Sequence, residues 1–392
     1  MSIRARREYL SAIWSRYRKS NRKEKTQILN EFVEVTGLGR KHAIFRLSQP
    51  LERISSSKGG GAPRRYSREE LLPFVRELWL AMEQIGAKRM KVALVVWLVF
   101  YENDQFTSLH REALLKMSSS TLERILSMIR KQYRPVGYCG TKKGLYHLIM
   151  QRTPIQTRDF NIKGPGHLEG DTVHHCGSSV AGEYIHTVTH TDIHTGWTEL
   201  RAVPNRGAEA VLRATIDMEQ SLPFPVISAD YDNGMEFMNA DMENYWLKRS
   251  KPVQFLRSRP YKKNDQCYVE QKNFTHVRAL FGYDRICGRS RAEVMNRIYR
   301  DLWGPLHNFF LPSQKLLTKN RVGGKYIKKY DKPQTPYQRL LDSADLSKEA
   351  KMALELRYVG LNPFKLRERL ELELKAFFGE LRESSHPLKQ AA

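Results

Sequence analysis

The chain has 392 residues, 41% of them hydrophobic, and a formal net charge of +24. That length allows two to four domains at roughly 100–200 residues each, with room for a large buried core. The longest strongly apolar run, Val92–Phe100, falls far short of the ~20 residues of a membrane helix and reads as a buried helix segment.

The N-terminus MSIRARREYL is basic and lacks the apolar stretch of a signal peptide, so a cytoplasmic setting is expected, with no membrane partner. Four scattered cysteines (Cys139, Cys176, Cys267, Cys287) without a CxxC pair argue against a disulfide framework and a cysteine zinc ribbon. No GxxxxGK[ST] loop occurs, so no ATP-driven step is expected.

The charge is unevenly spread. Residues 1–150 carry 29 Lys/Arg against 13 Asp/Glu, residues 151–260 carry 11 against 14, and residues 261–392 carry 26 against 15. Two basic arms therefore flank an acidic middle. Basic arms suit a polyphosphate partner, because each neutralised phosphate releases condensed counterions. Solvated surface charge, or a ribosomal or membrane-surface role, is the plainer alternative. An acid-rich centre inside such a protein needs its own reason, and metal binding supplies one.

Residues 22–48 read as two helices around a tight turn. Ser20 or Asn21 can cap the first, Ile28, Leu29, Phe32, Val33 and Val35 give it an apolar face, and Gly37 and Gly39 mark the break. A second, basic helix follows, as in a helix-turn-helix, which would set Arg40, Lys41, His42 and Arg46 near DNA. A generic helical hairpin fits the same pattern. Ser55–Pro63 (SSSKGGGAP) is a linker by composition. Ser67–Gly86, Lys88–Tyr101 and Ser108–Met117 are helical in period. The Ser118–Thr121 cluster then caps a further basic helix, a second helix-turn-helix whose Ser119, Thr121 and Arg124 could reach phosphates or base edges. Tyr133–Lys143 is a Pro/Gly-broken basic linker.

From Gly166 the period becomes strand-like. His167–His174, Glu183–Asp192 and Gly196–Val203 are expected strands, Ala208–Ser221 a helix, and Val226–Tyr231 a short buried strand ending in the turn Asp232–Gly234. Asp241–Arg249 reads as a helix, Val253–Arg257 as a fifth strand and Cys267–Leu280 as another helix. This succession is a ribonuclease-H-like α/β plan, in which the first and fourth strands are neighbours. The remainder is mostly helical, except Gly323–Pro336, which is too rich in Lys, Gly and Pro for a core.

Three acids fall at the ends of these elements: Asp171 in the first strand, Asp232 after the fourth, and Glu270 opening the last helix. Clustered carboxylates repel one another unless cations neutralise them. Their oxygens suit hard divalent ions such as Mg²⁺, and two such ions can clamp the attacking and leaving oxygens of a phosphoryl displacement. Any single acid is more often solvated, so the surrounding words matter. Asp230 shares a strand face with Asp232 by parity, and parity does not choose between them. His186, His190 and His194 share a face too, but no cysteine completes a zinc site. Trp197 reads as a strand-packing aromatic.

The words LEGDTVHHCG, ADYDNGMEF, SRPYKKNDQCYVEQKN and GYDR resemble the catalytic core of retroviral-integrase-like (DDE) transposases of bacterial insertion sequences. RKEKTQILNEF, DIHTGWTE and KKYDKPQTPYQRLL extend the resemblance over most of the chain. GMEF stands where GSEF is more familiar, and PYKKND where retroviral enzymes have PYxP. The resemblance implies that Asp171, Asp232 and Glu270 are the catalytic and metal-binding trio, with two Mg²⁺ ions that Mn²⁺ could replace. It also implies a homo-oligomer acting on double-stranded DNA at the nucleoid. Hydrolysis would free a 3′-OH at the element's end, and that hydroxyl would then attack target DNA. Lys262, Lys263 and Lys272 lie beside Glu270 in sequence and are candidates to hold scissile-strand phosphates.

The expected organisation is a helix-turn-helix in 1–54, a linker in 55–66, a second helical DNA-binding region in 67–132 and a linker in 133–160. A ribonuclease-H-like catalytic core in 161–320 and a basic C-terminal extension in 321–392 complete it. A DNA-binding regulator descended from a transposase, and a nuclease that cuts without joining, are the competing readings.

Overall fold

The computed structural model describes residues 3–50, 66–130, 162, 164–259, 266–322 and 325–385. The expected linkers Ser55–Pro63 and Tyr133–Lys143 lie outside them, as do Lys262 and Lys263. The chain divides into two compact units, Met1–Ser67 and Arg68–Ala392. Among the described residues no helix is long and apolar enough to cross a membrane.

The first unit holds three helices: α1 (Ile3–Lys19), α2 (Arg22–Thr36) and α3 (Arg40–Ser48). Asn21 opens α2 with a capping box, its side chain accepting from the Lys23 and Glu24 amides while Glu24 reaches back. Gly37 stops that helix in the left-handed conformation (φ 64°), which costs glycine nothing. Leu10, Ile28, Leu29, Phe32, Ala43 and Leu47 form the small core between them. The turn between α2 and α3 falls where the sequence puts it; α1 was not among the expected helices.

The second unit begins with α4 (Arg68–Ala81), α5 (Ala87–Trp97), α6 (Ser108–Lys116) and α7 (Ser119–Arg130). Ser118 accepts from the Thr121 amide at the start of α7. Only part of the apolar run Val92–Phe100, which begins in α5 and continues past its end, is buried: Leu94 and Trp97 face the core, whereas Val95 and Val99 are largely exposed.

The sheet follows, in the order β3-β2-β1-β4-β5. β1 (His167–His174), β2 (His186–Asp192) and β3 (Thr198–Val203) form an antiparallel meander. β4 (Ser228–Tyr231) runs parallel to β1, and β5 (Gln254–Arg257) parallel to β4. The expected adjacency of first and fourth strands is therefore realised. β2 starts at His186, three residues later than its residue pattern suggests.

One sheet face carries Val188, Ala229, Tyr231 and Phe255. They pack under α8 (Ala208–Ser221) and α9 (Ala240–Leu247) through Val211, Met218, Met242 and Trp246. Gly170 lies on this face, where an added Cβ would meet the Tyr231 ring at 2.3 Å. Lacking a side chain there lets β1 and β4 close against that ring.

The other side is covered by α10 (Cys267–Lys272), which continues through a π-helical turn, Asn273–Arg278, into Ala279–Phe281. α11 (Arg289–Arg297) likewise runs on through π-helical turns. An edge strand exposes unpaired amides and carbonyls. Here two asparagines satisfy β3: Asn308 bonds the Thr198 N–H and C=O at 3.1 and 3.0 Å, and Asn296 those of Ala202 at 2.6 and 2.9 Å.

β6 (Leu316–Val322) and β7 (Lys325–Tyr330) form a separate hairpin, so the expected boundary at 320/321 falls inside it. α12 (Pro336–Asp342), α13 (Lys348–Val359) and α14 (Pro363–Ser385) complete the chain. These helices pack on the unit's own core, with Phe364 against Trp97 and Phe377 against Phe281.

Candidate active site

The register Gly170↔Tyr231 makes Asp171 the next residue of β1 and Asp232 the next beyond β4. In parallel neighbours about 4.8 Å apart, that sets the two acids level with each other. Glu169, Asp171 and Asp230 share the face turned toward α10, and Asp232 keeps that parity. Both catalytic candidates are half-buried.

Hydrogen bonds fix the Asp171 carboxylate from two sides. Its Oδ1 accepts from the Thr172 amide at 2.7 Å, and its Oδ2 from Asn273 Nδ2 at 2.6 Å. Asp232 Oδ1 accepts from the Gly234 amide at 3.0 Å, and Asn233 Nδ2 donates to Ser258 O at 3.2 Å, tying the turn to the end of β5. Gly234 threads between two carboxylates: an added Cβ would come within 2.7 Å of Glu236 Oε2 and 2.9 Å of Asp232 Oδ1. Glu236, buried, accepts from Thr172 Oγ1 at 3.0 Å.

Burial pushes the Asp171 carboxyl well above its usual range, and the charges of Asp232, Glu236 and Glu270 push it further. Asp232 rises from 3.8 to about 6, through burial and the charge of Glu236, with the Gly234 bond and Arg206 opposing. Glu270 itself sits exposed in the first turn of α10. The buried Glu169 holds the start of that helix, accepting from the Tyr268 and Val269 amides at 2.9 and 3.0 Å. A carboxylate there also complements the positive end of the helix.

Sequence reasoning assigned no role to three contributors: Glu169, Glu236 and Asn273. Glu169 stands two residues before Asp171 on the same strand face, and Asn273 one helical turn beyond Glu270. Period alone pointed at both.

Among the described residues no three His, Cys, Asp or Glu side chains converge tightly enough to grip an ion as they stand. The donor chemistry nonetheless fits a hard divalent cation. Asp171 and Asp232 are driven toward protonation by burial and by neighbouring carboxylates, and a cation beside them reverses that.

The other singled-out residues are spread more widely. Arg40 and Lys41 are exposed at the start of α3, with Arg40 bonded to Asn30, and Arg46 is half-buried. A groove of about 570 Å³ beside them is lined by Arg22, Lys25 and Arg40. Ser119 and Thr121 are half-buried in the first turn of α7, and Arg124 is exposed. Lys272 turns away from Glu270 into a cationic interior. Burial there, with Arg89 and Arg339, lowers its ammonium to about 7. His186 and His190 are buried neutral histidines, and Trp197 packs edge-on against Phe309.

No protein-family model matches the chain. It is 38% identical over 348 residues to an uncharacterized protein, y4rM, of Sinorhizobium fredii, a match spanning 86% of this chain and 96% of that one. The chain belongs to the y4rM family.

Two solved retroviral integrase cores are similar to parts of this chain. It is similar to the HTLV-2 integrase catalytic core in complex with magnesium (16% identity, TM-score 0.22), over 28% of this chain and 66%, just under two thirds, of that core. It is also similar to the catalytic core domain of BIV integrase (18% identity, TM-score 0.29), over 46% of this chain and 95% of that one. At that level of likeness the reading of the site rests on its own residues.

Proposed function

We propose that the chain is a divalent-metal-dependent DNA transposase of the integrase type, which cuts at the ends of a mobile element and joins the freed 3′-OH to target DNA. The observation that carries this reading is the placement of Asp171 and Asp232 level with each other on the adjacent parallel strands β1 and β4, with Glu236 and Glu270 near enough for their charges to act on Asp171. A structural role alone gives no reason to gather carboxylates there.

Asp171, Asp232 and Glu270 would hold Mg²⁺ or Mn²⁺. The bound ions would supply the positive charge that activates the attacking oxygen and steadies the leaving one. The chain's own part is positioning. Thr172 N–H and Asn273 fix the plane of Asp171, Gly234 N–H fixes Asp232, and Glu169 anchors the helix that presents Glu270. Glu236, held by Thr172, keeps negative charge behind Asp232 and so favours a cation in front of it.

In this reading α2–α3 and α6–α7 recognise the element's terminal repeats, through Arg40, Lys41, Arg46, Ser119, Thr121 and Arg124. Lys262 and Lys263 steer the scissile strand. Joining two ends at once calls for a homo-oligomer on DNA. Each phosphodiester broken is replaced by another, so joining needs no ATP.

The test is a labelled duplex carrying the element's end, incubated with target DNA and Mg²⁺. Joined product supports the transposase. Nicks without joining favour a nuclease, and tight binding with no cutting in Mg²⁺ or Mn²⁺ favours a regulator.

A further inference from the structure

Among the described residues, no side chain of the β6–β7 hairpin is buried in a core. Its strands pair with each other and join no other sheet, and the described side chains of both faces, from Leu317 to Asn320 and Tyr326 to Tyr330, are exposed. A lone two-stranded hairpin is marginal in water, so a protein that keeps one exposed on both faces holds it for something else.

The stem is firmly held. Ser313 and Gln334 exchange backbone bonds at 2.9 and 3.1 Å, and the Lys315 amide bonds Asp331 Oδ1 at 2.6 Å. Buried Arg339 clasps Asp331 at 2.9 Å and Ser313 Oγ at 2.8 Å. Beyond that rigid base the arm is basic throughout: Leu316–Tyr330 holds five Lys/Arg and no Asp/Glu. Lys328 and Lys329 stand exposed on β7 among these cations. Like charges gathered on so short a ladder destabilise it. A polyanion relieves that repulsion, and a protein core does not.

Shape narrows the polyanion. The major groove of B-form DNA is about 12 Å wide and admits a two-stranded ribbon, whereas the deep, narrow major groove of A-form RNA does not. Seven residues of β6 at about 3.3 Å each reach about 20 Å, enough to cross such a groove. The exposed Tyr326 and Ile327 stand on opposite faces of the ribbon, so whichever face turns to the DNA brings an apolar side chain with its cations.

We propose that the β6–β7 hairpin is a DNA-binding arm that lies in the groove of a duplex, its lysines on the flanking phosphates. This rests on the reading of DNA as the substrate, and it assigns a contact to residues outside the carboxylate site and outside the helices already named.

The experiment is a binding titration of the full chain on a labelled duplex over a range of salt, wild type beside Lys328→Gln/Lys329→Gln. Losing two phosphate contacts should make the slope of log affinity against log salt shallower by about 2, at about 0.9 per contact. The pair Lys328→Arg/Lys329→Arg should restore it. Mass-spectrometric acetylation of the wild type needs no variant, and there duplex DNA should protect Lys328 and Lys329. An unchanged slope, or equal acetylation with and without duplex, overturns the proposal. So does the same lysine-dependent slope on RNA duplex, which would remove the groove. Failure of the cutting reading would look different: the duplex would be bound with a lysine-dependent slope and left intact.

Discussion

Replacing Asp232 by Asn should stabilise the metal-free protein while removing its chemistry. Asp232 titrates near 6 in the folded chain against 3.8 ordinarily, a difference of about 2 units, or about 3 kcal/mol as a ceiling. The residue is half-buried, and water and counterions screen part of this, so about 1 kcal/mol is the working figure. The sign follows from proton linkage. The folded state holds this proton more tightly than the unfolded state, so the destabilisation is absent below about pH 4. It grows as pH rises, and is complete above about pH 6–7.

Asparagine keeps an oxygen for the Gly234 amide and loses only the charge. In EDTA, Asp232→Asn should therefore melt about 2–4 °C above wild type at neutral pH, with the gap closing below about pH 4. Mg²⁺ should raise the melting temperature of wild type more than that of the variant. A variant that melts at or below wild type at neutral pH, or a gap independent of pH, would refute the reasoning.

Three other perturbations probe the frame around the site. Gly170→Ala sets a Cβ 2.3 Å from the Tyr231 ring and should cost about 1–3 kcal/mol in urea unfolding; a neutral result would mean that β1 and β4 can part freely. Burial lowers His190 from 6.5 to about 3, so stability present above about pH 6.5 is lost on acidification, by about 1.4 kcal/mol per pH unit. His190→Gln should flatten that dependence, and an unchanged slope would count against a neutral buried ring. Glu169→Gln can still accept the α10 amides but gives up the charge, so kcat for cutting should fall with duplex affinity unaltered. Equal loss of both would make Glu169 a general scaffold residue instead.

Much of the sheet was legible because burial stamps a period on sequence. The strands β2 and β3 follow from Thr- and Val-rich segments set off by turn residues, the helix Ala208–Ser221 from its helical period, and the adjacency of β1 and β4 from the order of the elements. The acids Asp171, Asp232 and Glu270 were singled out by the words around them, and the charges acting on Asp171 are the part that only a fold supplies. Glu169 gave no local signal of its partners, since Tyr268 and Val269 lie 99 and 100 residues away. The asparagines that cover β3 likewise act across 94 and 110 residues. The π-helical turns were invisible because an extra residue per turn is set by packing, not by propensity. Lys272 read as surface beside Glu270, yet two residues along a helix turn it nearly to the opposite side, into Arg89 and Arg339. The β6–β7 hairpin was hidden for the opposite reason: with none of its described side chains buried, it has no apolar period to read.

The most direct measurement compares Mg²⁺-dependent cutting of an element-end duplex by wild type, Asp171→Asn, Asp232→Asn, Glu270→Gln and Glu236→Gln, with duplex binding measured alongside. A metal-dependent carboxylate centre predicts product from wild type, none from the first three variants at undiminished binding, and a reduced but measurable yield from Glu236→Gln. Wild-type cutting without divalent metal, or full cutting by any of the three, would contradict it.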